Sequence, residues 1–385
     1  MTDDWRNGGF GLYIHWPFCQ AKCPYCDFNS HVSAKIDQNA WVRAYISELD
    51  RYRHLTSDRV LNSIFFGGGT PSLMHPDTVA TVIDHAKSIW RFANDVEITL
   101  EANPGSVEAQ NFNGYRDAGV NRVSMGIQAL NDADLKRLGR IHSVAEAQGA
   151  FEIARKAFDR VSFDLIYARQ GQSLSDWDIE LKTALSMAVD HLSLYQLTIE
   201  QGTAFGDRYN RGKLRDLPDD DTAAEMYFRT QEICEAAGMG AYEVSNHAKP
   251  GSESRHNLIY WRYGDYIGIG PGAHGRLTLN GQRFATETHL QPGKWLAEVT
   301  KGTGESEYTS LTSLDAAHEF LMMGLRLSEG VRLTRFEEIA GLPLPSDELS
   351  YLQDMGFVLI ENGQLKVSGK GRPILNAILR ELLVE

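Results

Sequence analysis

The chain has 385 residues, 51 acidic against 38 basic side chains, a formal net charge of -13 and four cysteines. That length leaves room for two or three domains, or for one large α/β domain with an appendage, and buries a core without cross-links. So few cysteines exclude a disulfide-built secreted scaffold, and the acidic balance argues against bulk electrostatic binding to nucleic acid or to anionic membrane.

The opening run, MTDDWRNGGFG, has two acids, one arginine and no apolar stretch, so it predicts neither a signal nor a transit peptide. No apolar run is long enough to span a bilayer, and a cytoplasmic, reducing location is the expectation. The first predicted strand, GLYIHWPF (11–18), runs straight into three thiols within eight residues: Cys19, Cys23 and Cys26. The fourth, Cys234 in QEICEAAGM, reads as a small core residue on a helix. Clustered thiols in a reducing compartment suit a soft metal or an iron–sulfur cluster. His15 and His31 flank them and would complete a Cys3His zinc site. A three-cysteine cubane would instead leave one iron without a protein ligand.

Five further apolar runs follow at 63–70, 95–103, 122–128, 160–168 and 191–199, with helical periodicity between them. Alternating strand and helix patterns predict parallel βα units with right-handed crossovers. Their size per unit matches a (β/α)8 barrel, in which chemistry sits at the C-terminal strand ends. Strand two ends in Gly67-Gly68-Gly69-Thr70-Pro71, expected to admit a ligand and present free N–H groups. Glu101 ends strand three, Gln128 ends strand four, Arg140 follows in LGRIH, and Asp164 lies on strand five. Further on come Arg255-His256-Asn257-Leu258-Ile259-Tyr260-Trp261 and the run GPGAHG at 270–275. The latter fits a dinucleotide fingerprint, but RLTLNGQRFAT behind it reads as a hairpin around Asn280-Gly281, so a glycine-rich pocket wall is expected. After about residue 310, a helix ending at Gly330, two short helices, a hairpin at Asn362-Gly363 and a last helix predict a winged-helix-like module. It lacks a basic stripe, which favours a structural cap or partner surface over DNA binding. The expected division is 1–210, 211–310 and 311–385.

Cys-x3-Cys-x-Tyr-Cys after a short strand, with Tyr25 as the aromatic, resembles the signature of the radical S-adenosylmethionine (SAM) enzymes. The resemblance implies an α/β fold, a partial (β/α)6 TIM-like barrel, with a [4Fe-4S] cluster on Cys19, Cys23 and Cys26 and SAM chelating the free iron. It places Tyr13, Tyr25, Gly68, Gly69, Thr70, Glu101, Gln128, Arg140 and Asp164 on SAM-contacting positions of the coproporphyrinogen-dehydrogenase-like subgroup. One departure is Ala168-Arg169-Gln170-Gly171-Gln172, where that subgroup has Gly-Leu-Pro-Gly-Gln or similar.

Within the subgroup two kinds of protein compete. One is the oxygen-independent coproporphyrinogen III dehydrogenase; the other is the HemW-type haem chaperone. Phe28 stands where the dehydrogenase typically has a further cysteine, and only 18 residues precede Cys19, against a longer arm there. His256-Asn257-x-x-Tyr260-Trp261 matches the HemW-type motif. The resemblance then implies haem as cargo, with His256 contacting it, Tyr260 and Trp261 offering apolar faces and Arg255 pairing a propionate. It implies haem-accepting respiratory proteins as partners, no nucleic acid, and membrane contact only through the client, and it leaves a homodimer and enzymatic turnover open. No catalytic residue is assigned. His247, in SNHAKP, departs from the aromatic often found there.

Overall fold

In the computed structural model, which describes residues 3–33 and 35–383, the six predicted strands form in the predicted order. They are β1 (Phe10–Trp16), β2 (Val60–Gly68), β3 (Arg91–Ala102), β4 (Arg122–Gln128), β5 (Arg160–Tyr167) and β6 (His191–Gln196). Each pairs in parallel with the next. Alternation along these strands sends Leu12, Ile14, Ile64, Phe66, Leu100, Val123, Phe163 and Leu194 into one large core. The helices Gln38–Thr56, Pro76–Ile89, Val144–Ala157 and Leu174–Met187 alternate with the strands and bury their apolar residues in that core. Ser143 and Ser173 start the latter two with reciprocal capping boxes. The opposite strand face carries Ser63, Thr99, Glu101, Arg122, Ser124, Ser162 and Asp164. A barrel interior is ordinarily packed with branched apolar side chains; this polar one is hollow.

The sheet does not stop at six strands. Two short strands follow: β8 (Asn246–Ala248) adds antiparallel to β6, and β7 (Gly240–Ala241) adds antiparallel to β8. At the other end β9 (Asp265–Ile269) pairs in parallel with the free edge of β1. A meander of β10 (His274–Leu279), β11 (Gln282–Thr288) and β12 (Glu305–Ser310) completes a twelve-stranded sheet. The stretch expected to be an extension of the barrel therefore feeds both ends of its sheet. β9 lies in a glycine-rich run, and that hides its strand character. Gly268 is required there because a Cβ would sit 2.0 Å from the His274 carbonyl oxygen of the returning strand. The Asn280-Gly281 turn forms as predicted, both residues at positive φ (51° and 80°). Asp265 pins β9: fully buried, its carboxylate pairs with Arg59 and Arg283 and accepts from the Thr278 hydroxyl.

The C-terminal region has its own core, built on Phe320, Leu321, Phe336, Leu352, Leu365 and Ile378. Helices Ser313–Gly324, Leu333–Ala340, Ser346–Asp354 and Leu375–Leu382 surround a three-stranded sheet in the order Val331–Arg332, Gln364–Val367, Val358–Glu361. That is the predicted helices-and-wing pattern. The first helix ends at Gly324 rather than Gly330, where the chain must let Val331 approach within 2.2 Å of a would-be Cβ. Residues 1–2 of the opening run and 384–385 of the last predicted helix lie outside the described residues.

Candidate functional site

Beyond β1 the chain turns at Pro17. Phe18–Cys19 bridges in parallel to His31–Val32, which closes the base of the cysteine loop. Cys19, Cys23 and Cys26 are each half-buried. They line a pocket of about 130 Å³ with Tyr25, Gly68, Gly69, Thr70, Glu101, Gln128, Arg140 and Asp164. Of the positions that the resemblance assigns to SAM, Tyr13 lies elsewhere, as does the proposed haem contact His256. Thr70 Oγ1 donates to Cys19 Sγ at 3.4 Å and Arg140 to Cys23 Sγ at 3.3 Å. Burial pushes the Cys19 and Cys26 thiols up, so a bound metal is what would hold them as thiolates. Arg140 also donates to Asn103 Oδ1 and the Gly126 carbonyl, at 2.7 and 2.8 Å. Its loop can close on the cysteines because Gly139, at φ 70°, has no Cβ to meet Pro24, which would be 2.6 Å away.

The donor set fits a cluster better than a single zinc ion. Both ring nitrogens of His15 are engaged, Nε2 with the Asn29 carbonyl at 2.9 Å and Nδ1 with the Tyr13 hydroxyl at 3.0 Å. His31 Nε2 meets Asn29 Oδ1 at 3.1 Å. Among the described residues no set of His, Cys, Asp and Glu side chains converges on one ion. Three thiols spread around a pocket, with no fourth protein ligand, suit an iron–sulfur cluster with one open iron. Such a cluster, when bound, supplies an electron and an open coordination position.

The glycine segment differs from expectation. Its N–H groups are not free: Gly68 donates to Glu101 Oε2 at 3.2 Å, Gly69 to the Trp16 carbonyl at 2.7 Å and Thr70 to the Phe18 carbonyl at 2.8 Å. Pairing with the first strand and the residues just after it consumes the last two, and the Glu101 carboxylate takes the first. An amine arriving there needs acceptors, so carbonyl oxygens and Glu101 are what this wall can offer. Gly68 sits at φ 111°, and a Cβ would run into the His15 ring at 2.6 Å.

Glu101 and Asp164 face each other across this wall. Burial first, and the Asp164 charge second, push Glu101 up to about 8; burial pushes Asp164 up to about 6. Two desolvated carboxylates favour a cationic ligand. A sulfonium bearing an ammonium group would stabilise the charged carboxylates, lower both values and release protons. Affinity for SAM should therefore rise as pH goes from about 6 to about 8 and fall in acid. Calorimetry in buffers of different ionisation enthalpy reads this directly; a pH-independent affinity would show that the carboxylates do not meet the cation.

Two strand ends are conformationally strained: Gln128 has φ 75° and Ala168 has φ 55°. The Ala168–Gln172 loop replaces glycine and proline with a buried ion network. Arg169 pairs with Asp134 at 3.0 Å and Glu180 at 2.6 Å, and Gln172 Nε2 donates to Glu180 at 3.0 Å. The loop is held by side chains, and Asp164 keeps its place in the pocket.

The pocket opens into a larger cavity of about 560 Å³, with Phe28, Gly68, Glu101, Ser124 and Asp164 as the common wall. Tyr13 lines this cavity, stacked with Phe65 and His256 at centroid distances of 6.2 and 6.1 Å. Tyr260, Trp261, Gly272 and His274 complete part of the wall, so the glycine-rich run does border the cavity. His256 Nδ1 bonds Ser63 Oγ at 2.8 Å, while Nε2 has no hydrogen-bond partner among the described residues. Burial, and then the Arg122 charge, push His256 down to about 3, which keeps the imidazole neutral.

Glu97 fixes the helix Arg255–Trp261 that carries His256. It accepts from the N–H groups of Arg255 and His256 at 3.0 and 3.3 Å and is itself held by Arg160 at 2.8 Å. Glu97, Ser63 and Arg122 were not picked out from the sequence. The available signal was period-two alternation, since Glu97, Thr99 and Glu101 share the inward face of β3. Arg255 does not serve the cavity: as the first residue of its helix it points outward and pairs with Asp95. His247 is buried in β8 with neither ring nitrogen partnered and does not line the cavity. No helix among the described residues is long and apolar enough to cross a membrane.

Residues 13–183 match the Radical SAM superfamily and residues 311–374 the HemN C-terminal domain. The chain is 38% identical to heme chaperone HemW of Escherichia coli, over 97% of this chain and 98% of that one. It is 37% identical to heme chaperone HemW of Haemophilus influenzae, with the same coverage of 97% and 98%. It is 38% identical to the mitochondrial radical S-adenosyl methionine domain-containing protein 1 of Bos taurus, over 97% of this chain and 87% of that one. Coproporphyrinogen III oxidase (HemN) of Escherichia coli superposes with a TM-score of 0.82, covering 99% and 92% of the two chains at 20% identity, which shows a shared fold. Near-complete coverage of the HemW relatives, on the fold of a radical SAM enzyme, settles the family: this chain belongs to the HemW family of radical SAM proteins.

Proposed function

We propose that this protein is a haem chaperone that binds a [4Fe-4S] cluster and SAM and passes haem to proteins of the respiratory chain. Cys19, Cys23 and Cys26 hold the cluster. Tyr25, Gly68, Gly69, Thr70, Glu101, Gln128, Arg140 and Asp164 hold SAM beside it, and Tyr13 bounds the adjoining cavity. Haem occupies that cavity with His256 as iron ligand. The observation that carries this reading is the state of His256: neutral, oriented through Nδ1 by Ser63, and with Nε2 left unbonded in an aromatic-walled cavity. A neutral imidazole whose second nitrogen is fixed by a hydrogen bond is the form in which histidine binds metals. The proposed division is a barrel over 1–210, a haem-bearing extension over 211–310 and a C-terminal partner surface over 311–385, in a cytoplasmic protein.

Anaerobic haem titration of the reconstituted protein tests the reading. Ser63→Ala is expected to weaken haem binding by about 10- to 100-fold, as for other residues behind a metal ligand. His256→Ala should weaken it further and displace the Soret band. Absence of haem binding by the unaltered protein would overturn the proposal. The common wall of Glu101, Ser124 and Asp164 also suits radical chemistry on a tetrapyrrole in the cavity. Release of carbon dioxide from coproporphyrinogen, with SAM and a reductant, would favour that dehydrogenase reading instead.

A further inference from the structure

Four arginines are buried among the described residues: Arg59, Arg122, Arg169 and Arg283. Three of them pair with carboxylates, Arg59 and Arg283 with Asp265, and Arg169 with Asp134 and Glu180. Arg122 does not. It opens β4, is 3% exposed, and its hydrogen-bond partners are two hydroxyls, Ser162 Oγ at 2.9 Å and Thr99 Oγ1 at 3.4 Å. A guanidinium has five N–H donors in a planar fork. No carboxylate oxygen lies within 4.0 Å of this one among the described residues. An unpaired buried cation is costly to the fold, and an anion brought in by a ligand would relieve that cost.

Glu101 and Asp164 feel the Arg122 charge, which lowers both, but neither hydrogen-bonds the guanidinium, so its N–H donors stay available to a ligand. Glu101 and Asp164 lie on the wall shared with the cluster pocket, whereas Arg122 and His256 line the large cavity alone. The other acidic side chain on its wall, Glu243, is occupied: its Oε1 accepts from the Ser245 N–H at 3.0 Å and from the Asn246 side chain at 2.6 Å. One end of the cavity thus suits a cation and the other an anion. The anion would lie close to His256, whose ring already feels the Arg122 charge.

We propose that Arg122 is a carboxylate-binding residue that seats a propionate of the tetrapyrrole in this cavity, beside the His256 imidazole. The assignment rests on the haem-chaperone reading. It replaces Arg255, which faces outward, and uses the bidentate fit of guanidinium to carboxylate.

Haem and haem dimethyl ester, whose propionates are uncharged, separate the two ideas. The reconstituted full-length protein should bind haem about 10- to 100-fold more tightly than the ester, the worth of one charge-assisted hydrogen-bond pair. Arg122→Gln should erase that preference by weakening haem while leaving the ester unchanged. The Soret position, set by the iron ligand, should stay put. Arg122→Lys should keep part of the preference. Equal binding of haem and ester by the unaltered protein overturns the Arg122 assignment and leaves the chaperone reading standing. Retained preference in Arg122→Gln also overturns it, and no binding of either porphyrin overturns both. The comparison on the unaltered protein decides the matter even where Arg122→Gln does not fold.

Discussion

Replacing Asp265 by alanine is expected to remove about 3–5 kcal/mol of stability, the usual cost of breaking a buried ion pair by deleting one partner. The magnitude follows from what would be left behind. Arg59 and Arg283 stay buried, at 4% and 8% side-chain exposure, and both lose their carboxylate. The Thr278 hydroxyl loses its acceptor as well. Asp265→Asn keeps the shape and one acceptor oxygen but not the charge, and should fall between the two. Denaturant midpoints at constant slope would measure this. A loss below about 1 kcal/mol, the level of an exposed pair such as Lys301 with Glu298, would mean that water reaches the network. Any large loss should act on β1 as well, because β9 is its partner along one edge from Phe10 to Ile14.

The second large effect concerns the thiols. Cys23→Ser is expected to abolish cluster binding, read as loss of bound iron and sulfide and of visible absorption after anaerobic reconstitution. With only three protein ligands around the pocket, none is redundant, and a serine oxygen is a poor match for iron in this setting. Arg140 would also lose the sulfur to which it donates. Cys234→Ser is the control. That thiol is fully buried in the helix Asp220–Ala236, burial pushes it up to about 12, and it lies far from the pocket. Its iron content should match the unaltered protein, with a modest loss of stability from a hydroxyl in an apolar site. Undiminished iron in Cys23→Ser would remove the cluster assignment.

The parts of this fold that could be read from the sequence are those with local signals. The six strands came from β-branched runs between amphipathic stretches, and the Asn280-Gly281 and Asn362-Gly363 hairpins from residues that tolerate positive φ. The cysteine loop was legible from spacing alone, and the acidic wall from the position of Glu101 and Asp164 on their strands. What stayed hidden depends on where strands end up. β9 is five residues long, and the strand preference of Tyr266, Ile267 and Ile269 is interrupted by the glycine needed at 268, so the local signal is weak and its partner β1 supplies the order. Arg122, Ser63 and Glu97 look like ordinary polar residues of alternating strands, and only closure of the sheet turns them toward one cavity. Arg255 misled for a related reason. The motif around His256 is helical, and one residue of helix turns a side chain by more than a quarter circle, out of the site and onto Asp95.

The central position of β1 has a kinetic consequence. β1 is made well before its second neighbour, β9, since Phe10 pairs with Asp265. Until then β1 presents an open edge of unsatisfied backbone groups, followed in the chain by the Cys19, Cys23 and Cys26 thiols. Pairing so distant in sequence is slow, and an exposed edge in a nascent chain invites association with other chains. The glycine-rich return of the chain at 264–275 is therefore the step that covers the open edge of β1.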